Sequence, residues 1–197
     1  HMIYTELNLL HNSLEHLPNP YIYLAQLGWE KCNPGYSYFN CRDLYLIHFI
    51  YKGQGMLKID DTTYELQEKD AFYIPPNVSA TYTADSEDPW HYYYFAFNGS
   101  FAPELIHRTV FRDSYCTTMS DNTLMQLITD ANAHINRSRA ADIGGIEQLF
   151  RLLSILLRAD DQSKYTISPQ HQYISQIQRY ICLLYTSDAA DDLTRVD

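Results

Sequence analysis

The stretch LYLIHFIYKGQGMLKIDDTTYELQEKDAFYIPPN, residues 44–77, decides the fold because short apolar or alternating runs are separated by turn residues. This pattern is typical of successive antiparallel strands. The glycines of KGQG tolerate positive φ, the DD pair forms a hairpin tip, and PPN ends a strand. The stretch therefore predicts four consecutive strands.

The same pattern continues on both sides of this stretch. The predicted strands are residues 21–27, 36–40, 44–51, 55–59, 63–66, 71–74, 79–83 and 90–97. Eight strands at this spacing indicate a jelly roll or small barrel, an architecture that removes or protects sheet edges. We therefore predict a mainly β fold with helices at its C-terminal side.

Helical periodicity begins after residue 100 and predicts an antiparallel helical pair. Residues 122–136 form an amphipathic helix, and a second helix follows with a wide apolar stripe. The stripe is broader than one barrel face requires, so we predict that Leu149, Leu153, Leu156 and Leu157 contribute to a homodimer interface. The alternative is that both helices simply close the domain's own core.

The composition limits the classes of function. The chain has 197 residues and a net charge of −10, which argues against a broad basic surface for DNA. No run is long enough to span a membrane, and no basic and then apolar leader is present, so we predict a cytoplasmic protein. Four scattered cysteines without a CxxC pair indicate reduced thiols.

The segment DPWHYYYFAFNG, residues 88–99, carries six aromatic rings within eight consecutive positions. Because strand side chains alternate between faces, Trp90, Tyr92 and Tyr94 share one surface, and the residues between them share the other. One set packs against another layer while the other can line a cavity, where tyrosine combines apolar area with a hydroxyl. The alternative is that both faces belong to the core.

Two polar residues, Arg42 just before the apolar strand 44–51 and His48 within it, are candidates for a binding role. A guanidinium cannot lose its charge, so an inward Arg42 needs acceptors such as sugar hydroxyls or a carboxylate; alternatively, it is a solvated strand-edge residue beside Asp43. His48 lacks the HxH spacing of a metal site and is predicted to be a satisfied barrel histidine. The chain also has no GxSxG, no Cys/His signature and no phosphate loop, so we predict no catalytic residue, metal or cofactor.

Two segments, GWEKCNPGY (residues 28–36) and the run from residue 42 to residue 99, resemble the ligand-binding and dimerisation domain of AraC-family transcription regulators, especially the sugar-operon members. The matching features fall in order at the expected separations. They are GQG at 53–55, Asp70, PP at 75–76, Tyr82, AD at 84–85, PW at 89–90 and FNG at 97–99.

The resemblance implies a cupin-like barrel that holds a small effector, usually a sugar, followed by a helical dimer interface and a DNA-binding domain with two helix-turn-helix units. In that family an arginine before the GxG strand and aromatic or histidine residues after the PW-like position grip the inducer. Arg42 matches the arginine, Tyr92 and Tyr94 match the later positions, and Tyr82 matches a further pocket tyrosine. With Trp90 and His48, these residues form our candidate ligand-binding set.

The resemblance also implies a domain organisation. Residues 1–2 are interpreted as a cloning scar, 3–20 as an arm that closes on the pocket or as a disordered leader, and 21–118 as the barrel. Residues 119–160 form the helical dimerisation region, 161–172 a linker and 173–181 the start of a truncated DNA-binding domain. Residues 182–197 resemble a translated sequencing adapter and are predicted to be non-native; the alternative is a natural acidic tail.

The predicted function is therefore that of a non-catalytic sensor. It would bind a small carbohydrate, form a homodimer and contact DNA only in the full-length protein, with no membrane partner. The alternatives are a metal-dependent cupin enzyme and a dimerisation module without a ligand.

Overall fold

The computed structural model describes residues 3–8, 21–135 and 143–158. Within these residues, ten strands and three α-helices are present. The strands are β1 Ile3–Asn8, β2 Tyr23–Lys31, β3 Ser37–Asn40, β4 Tyr45–Lys52, β5 Gln54–Ile59, β6 Thr62–Gln67, β7 Asp70–Ile74, β8 Ala80–Ala84, β9 His91–Asn98 and β10 Cys116–Thr118. The helices are α1 Ala102–His107, α2 Asp121–Ile135 and α3 Ile143–Arg158, with a short 3-10 turn at Val110–Arg112.

The strands form two antiparallel sheets that face each other as a cupin-like jelly roll. One sheet has the order β1-β2-β9-β4-β7-β10, and the other has the order β3-β8-β5-β6. All eight predicted strands are present, with boundaries that differ by up to four residues. The predicted fold class, a cupin-like barrel followed by helices, is confirmed.

The turns use the residues that the sequence indicated. Gly53 has φ +73°, and a Cβ at this position would lie 2.5 Å from the backbone oxygen of Pro89. Asp60 adopts φ +51° at the tip between β5 and β6, a conformation that aspartate tolerates better than most residues. Glycine at residue 53 therefore serves both the turn and a close backbone approach.

A buried carboxylate fixes the start of β7. Asp70 is fully buried and accepts hydrogen bonds from the backbone N–H of Gln67, at 3.0 Å, and from the Thr118 hydroxyl, at 2.7 Å. It therefore joins the turn before β7 to strand β10. The sequence analysis predicted neither β10 nor the short helix α1.

The predicted arm contributes an edge strand. β1 pairs antiparallel with β2, from Ile3 opposite Lys31 to Asn8 opposite Gln26. The alternation in IYTELN is a strand pattern, and it was not predicted as one. The predictions for residues 1–2, 9–20 and 159–197, which include the linker, the start of the DNA-binding domain and the adapter-like tail, lie outside the described residues.

The helices cover the outer side of the six-stranded sheet. α2 and α3 pack against each other and against β2. Leu149, Leu153 and Leu156 are buried within this single chain, whereas Leu157 is 42% exposed. Three of the four residues predicted for dimerisation therefore help to close the domain's own core, as the alternative reading stated, and homodimerisation stays a prediction.

Candidate functional site

An aromatic cluster centred on His48 lies between the inner faces of the two sheets. The ring centroid of His48 lies 4.3 Å from Phe72, 5.0 Å from Tyr82, 4.8 Å from Tyr92 and 5.7 Å from Tyr94. All five side chains are buried. The structure thus brings together four of the predicted candidates, and Phe72 joins them from β7.

Trp90, the fifth aromatic candidate, lies deep between the two sheets. It stacks on Phe72 with a centroid separation of 5.9 Å and is only 1% exposed. A Cβ on Gly55 would approach the Trp90 ring to 2.5 Å, so glycine provides the room for the indole. Trp90 therefore borders the cluster through its ring contacts with Phe72, Tyr82 and Tyr92.

Arg42 extends from the loop before β4 towards the inner side of β2. Its Nε donates to Asn40 Oδ1 at 3.0 Å, and its Nη1 donates to Gln26 Oε1 at 2.7 Å. The carboxylate of Asp43 accepts a hydrogen bond from the Asn77 side chain. Arg42 is half-buried and is held by two neutral amides, which satisfy two of its donors without neutralising its charge.

A β-bulge explains why Gln26 reaches this position. Leu24 pairs with Phe97 and Gln26 pairs with Ala96, so Ala25 is an extra residue in β2. A bulge reverses the alternation that follows it. Without this bulge, Gln26 would point to the helix-covered outer face.

The same bulge places Glu30 on the inner face, opposite Tyr92. Glu30 is 7% exposed, and the Tyr92 hydroxyl donates to its Oε2 at 2.6 Å. Nearby, burial and then the negative charge of Glu30 raise the pKa of Cys32 to about 12. Cys32 is therefore a protonated, inert thiol at neutral pH.

The protonation states and hydrogen bonds of the cluster leave polar capacity unused. Burial, and then the positive charge of Arg42, lower the pKa of His48 well below 6.5, so the imidazole is neutral. Among the described residues, His48 Nδ1 and Asn40 Nδ2 are buried without a hydrogen-bond partner. Buried polar groups normally have partners, and Thr117 and Gln148, outside the cluster, also carry atoms of this kind.

The aromatic cluster has one partly exposed neighbour, Tyr38 on β3. The ring of Tyr38 lies 5.3 Å from that of Tyr82 on the inner side, yet Tyr38 is 37% exposed. Tyr38 and Asn40 therefore share the inner face of β3 with the side of β8 that carries Tyr82. Sequence analysis missed Gln26, Glu30, Asn40 and Tyr38; only the last two carried a signal, because they alternate in step with Arg42.

A separate, open depression lies on the outer side of the four-stranded sheet. Its volume is about 440 Å³, and its lining includes Gln54, Met56, Glu65, Thr83 and Asp85. None of the predicted candidates lines it. In the part of the chain that the structure describes, no three His, Cys, Asp or Glu side chains are grouped closely enough to hold a metal ion.

Comparison with known protein families shows which family this domain belongs to. Residues 23–154 match the family described as the AraC-like ligand binding domain. The chain belongs to this family. The matched range of the AraC-like domain includes β2 to β10, α2 and most of α3, and therefore contains Gln26, Glu30, Arg42 and the whole aromatic cluster.

The AraC-like domain is similar to two curated regulators. It is 32% identical to the Msm operon regulatory protein of Streptococcus mutans over 168 residues, which cover 81% of this chain and 60% of that protein. It is 35% identical to the raffinose operon transcriptional regulatory protein RafR of Pediococcus pentosaceus over 74 residues, 36% of this chain and 27% of that protein. The chain therefore spans less than two thirds of either relative.

Solved structures with similar folds are more distant. The Cnp3 cupin domain of Schizosaccharomyces pombe has a TM-score of 0.40 at 11% identity, over 52% of this chain and 69% of that one. An oxalate decarboxylase from Bacillus subtilis has a TM-score of 0.36 at 18% identity, over 40% of this chain and 22% of that one.

Across the described residues, no helix of the AraC-like domain combines the length and apolarity needed to cross a bilayer.

Proposed function

We propose that this AraC-like domain binds a small carbohydrate beside Arg42 and the aromatic cluster and thereby controls transcription. The observation that carries the proposal is the half-buried guanidinium of Arg42, which is hydrogen-bonded to Asn40 and Gln26 and whose charge acts on His48 of the aromatic cluster. The names of the two curated relatives support a regulatory role, and that of RafR refers to a sugar, raffinose.

The proposed roles follow from the groups available beside Arg42 and the aromatic cluster. Arg42 has five N–H donors, and the two contacts described above leave others for sugar hydroxyl oxygens. Asn40 Nδ2 and His48 Nδ1, which lack partners among the described residues, are further positions for sugar hydroxyls. The rings of Tyr82, Tyr92 and Tyr94 supply apolar surface for the C–H face of a sugar.

Control of transcription requires parts beyond the described site. We propose a cytoplasmic homodimer whose DNA-binding domains are positioned differently in the free and effector-bound states. An effector shifts such an equilibrium only by its difference in affinity for the two states. Contacts at Arg42 would supply this difference if its guanidinium is placed differently in the two states.

The direct test is saccharide binding by the wild-type protein and Arg42→Ala. A thermal-shift screen of mono- and oligosaccharides, including raffinose, identifies a binder because a ligand that binds only the folded state raises Tm. Calorimetry should then show that Arg42→Ala weakens binding by roughly 100-fold, equivalent to about 3 kcal/mol from lost charge-assisted hydrogen bonds. Unchanged affinity in a folded Arg42→Ala protein would refute the proposed role.

Arg108→Ala is the matched control. Arg108 lies on the surface, where it forms a salt bridge with Glu104 on the same helix at 2.7 Å. Its loss should leave saccharide affinity within twofold of the wild-type value, because exposed pairs of this kind contribute little. Equal losses in both arginine variants would show a general charge effect and contradict a specific site.

We propose further that the role of the domain is regulatory and not enzymatic. The names of both curated relatives describe regulatory proteins, which supports this reading. Elemental analysis of the purified protein provides the test. Stoichiometric Fe, Mn, Ni or Zn together with turnover of a saccharide would contradict the proposal.

A further inference from the structure

Glu30 places a carboxylate in the interior, on the inner face of β2. The residue is only 7% exposed. Glutamate is rarely buried to this extent unless it is paired, yet among the described residues no Lys, Arg or His forms a salt bridge with it. The carboxylate therefore depends on hydrogen-bond donors for its stability in the interior.

In the described part of the chain, the hydroxyl of Tyr92 is the one side-chain donor that reaches this carboxylate. The donor–acceptor distance of 2.6 Å is typical of a charge-assisted hydrogen bond to a carboxylate. Glu30 and Tyr92 lie directly opposite each other in the pairing of β2 with β9. Both partners are buried, and the low dielectric of an interior strengthens such a bond.

The orientation of the Tyr92 ring matters to the whole aromatic cluster. Tyr92 meets four neighbouring rings at steep interplanar angles, between 71° and 84°; they belong to His48, Tyr82, Trp90 and Tyr94. The energy of such aromatic contacts depends on the relative orientation of the rings. Because the interior is closely packed, the Tyr92 ring cannot tilt without disturbing these neighbours.

The bond to Glu30 also decides how the Tyr92 hydroxyl can interact with another molecule. A tyrosine hydroxyl has a single proton, and here that proton is donated to Glu30. The Tyr92 oxygen can therefore only accept a further hydrogen bond. Arg42, which is held by Gln26, has the opposite polarity because a guanidinium can only donate. Two residues of β2, Gln26 and Glu30, thus hold one donor and one acceptor of the candidate site.

We propose that Glu30 is a positioning residue of the effector site, because its carboxylate holds the hydroxyl and ring of Tyr92 so that Tyr92 accepts a hydrogen bond from the effector. This inference rests on the proposed function and adds a residue that sets the hydrogen-bond polarity of the site. Glu30 acts through Tyr92 without touching the effector. Its contribution to affinity therefore disappears when the Tyr92 hydroxyl is absent.

Proton NMR of the full chain in water tests the positioning without a ligand. A buried hydroxyl proton in a short hydrogen bond should give a separate downfield resonance. Glu30→Gln keeps a carbonyl acceptor and should retain this resonance, shifted upfield because a neutral acceptor forms a weaker bond. Its absence in Glu30→Gln/Tyr92→Phe identifies it as the Tyr92 hydroxyl. Glu30→Ala should lose the resonance, and an unshifted resonance in Glu30→Ala would overturn the inference.

Calorimetry of the same variants tests the effect on binding. The probe is raffinose or, if raffinose does not raise Tm, the saccharide that raises it most in the screen described above. Glu30→Ala should raise the Kd roughly tenfold, the loss expected for one hydrogen bond, whereas Glu30→Gln should stay within about threefold of the wild-type value. Glu30→Ala/Tyr92→Phe removes donor and acceptor together and should bind no more weakly than Glu30→Ala alone, because the two residues act as one unit.

Glu65→Ala is the matched control, because it removes the same charge from an exposed position on β6. It should alter the Kd by less than about twofold. Wild-type affinity in Glu30→Ala, equal losses in Glu30→Ala and Glu65→Ala, or a further tenfold loss in the double variant would each overturn the inference. If Arg42→Ala still weakens binding in these cases, the proposed function stands. Failure of every saccharide to bind the wild-type protein would refute both.

Discussion

His48 should make the stability of the domain depend on pH. Burial and the charge of Arg42 lower its folded-state pKa well below 6.5, whereas the unfolded chain retains the ordinary value. Below pH 6.5 the unfolded state therefore binds a proton that the folded state does not bind. The free energy of unfolding is fully retained above this pH and falls as the pH decreases.

The magnitude follows from proton linkage. One histidine that titrates only in the unfolded state reduces the free energy of unfolding by about 1.4 kcal/mol between pH 7.5 and pH 5.5. With a urea m-value of about 2 kcal/mol per molar, this loss lowers the midpoint concentration by roughly 0.7 M. Other groups also titrate in this range, so the informative quantity is the difference between the wild-type protein and a variant.

His48→Phe keeps an aromatic ring within the cluster and removes the titrating group. Urea unfolding at pH 7.5 and 5.5 should show a loss of stability that is smaller in this variant by about 1.4 kcal/mol. His107→Gln, at a half-buried position on α1, is the control and should retain the wild-type loss. The same pH-dependent loss in His48→Phe and the wild-type protein would refute this account of His48.

Four substitutions test the packing of the domain by urea denaturation. Gly55→Ala brings a methyl group to within 2.5 Å of the Trp90 ring and should cost about 2–3 kcal/mol; a neutral result would contradict this close approach. Asp70→Ala removes a fully buried acceptor from two donors and should also cost about 2–3 kcal/mol, so an unchanged midpoint would show that these hydrogen bonds contribute little. Leu153→Ala should cost about 2–5 kcal/mol, against less than about 1 kcal/mol for the exposed Leu157→Ala; equal costs would mean that α3 does not pack as described.

The sequence predicted the strands well because their signals are local. Alternation and turn residues lie within a few positions of each other, as in the run from β4 to β7. The shared face of Trp90, Tyr92 and Tyr94 was also predictable, because β9 contains no extra residue between them and Phe97. Period-two alternation holds wherever a strand is regular.

The polar part of the site could not be predicted in the same way. Gln26 reaches Arg42 only because Ala25 is bulged out of β2, and the bulge depends on pairing with β9, about 70 residues later in the sequence. Glu30 and Tyr92 are 62 residues apart and meet through the same pairing. Neither contact leaves a pattern in nearby sequence.

Both faces of strand β2 are packed, and they contact different parts of the domain. Its inner side chains Gln26 and Glu30 contact Arg42 and Tyr92, at the site to which we assign the effector. Leu27 and Trp29 occupy outer-face positions opposite Phe95 and Tyr93, on the side where α2 and α3 pack. Because one strand separates the two faces, a ligand that moves β2 inward would also move the surface against which α3 packs. Under the proposed function, a change at the effector site would therefore reach α3 across the backbone of one strand.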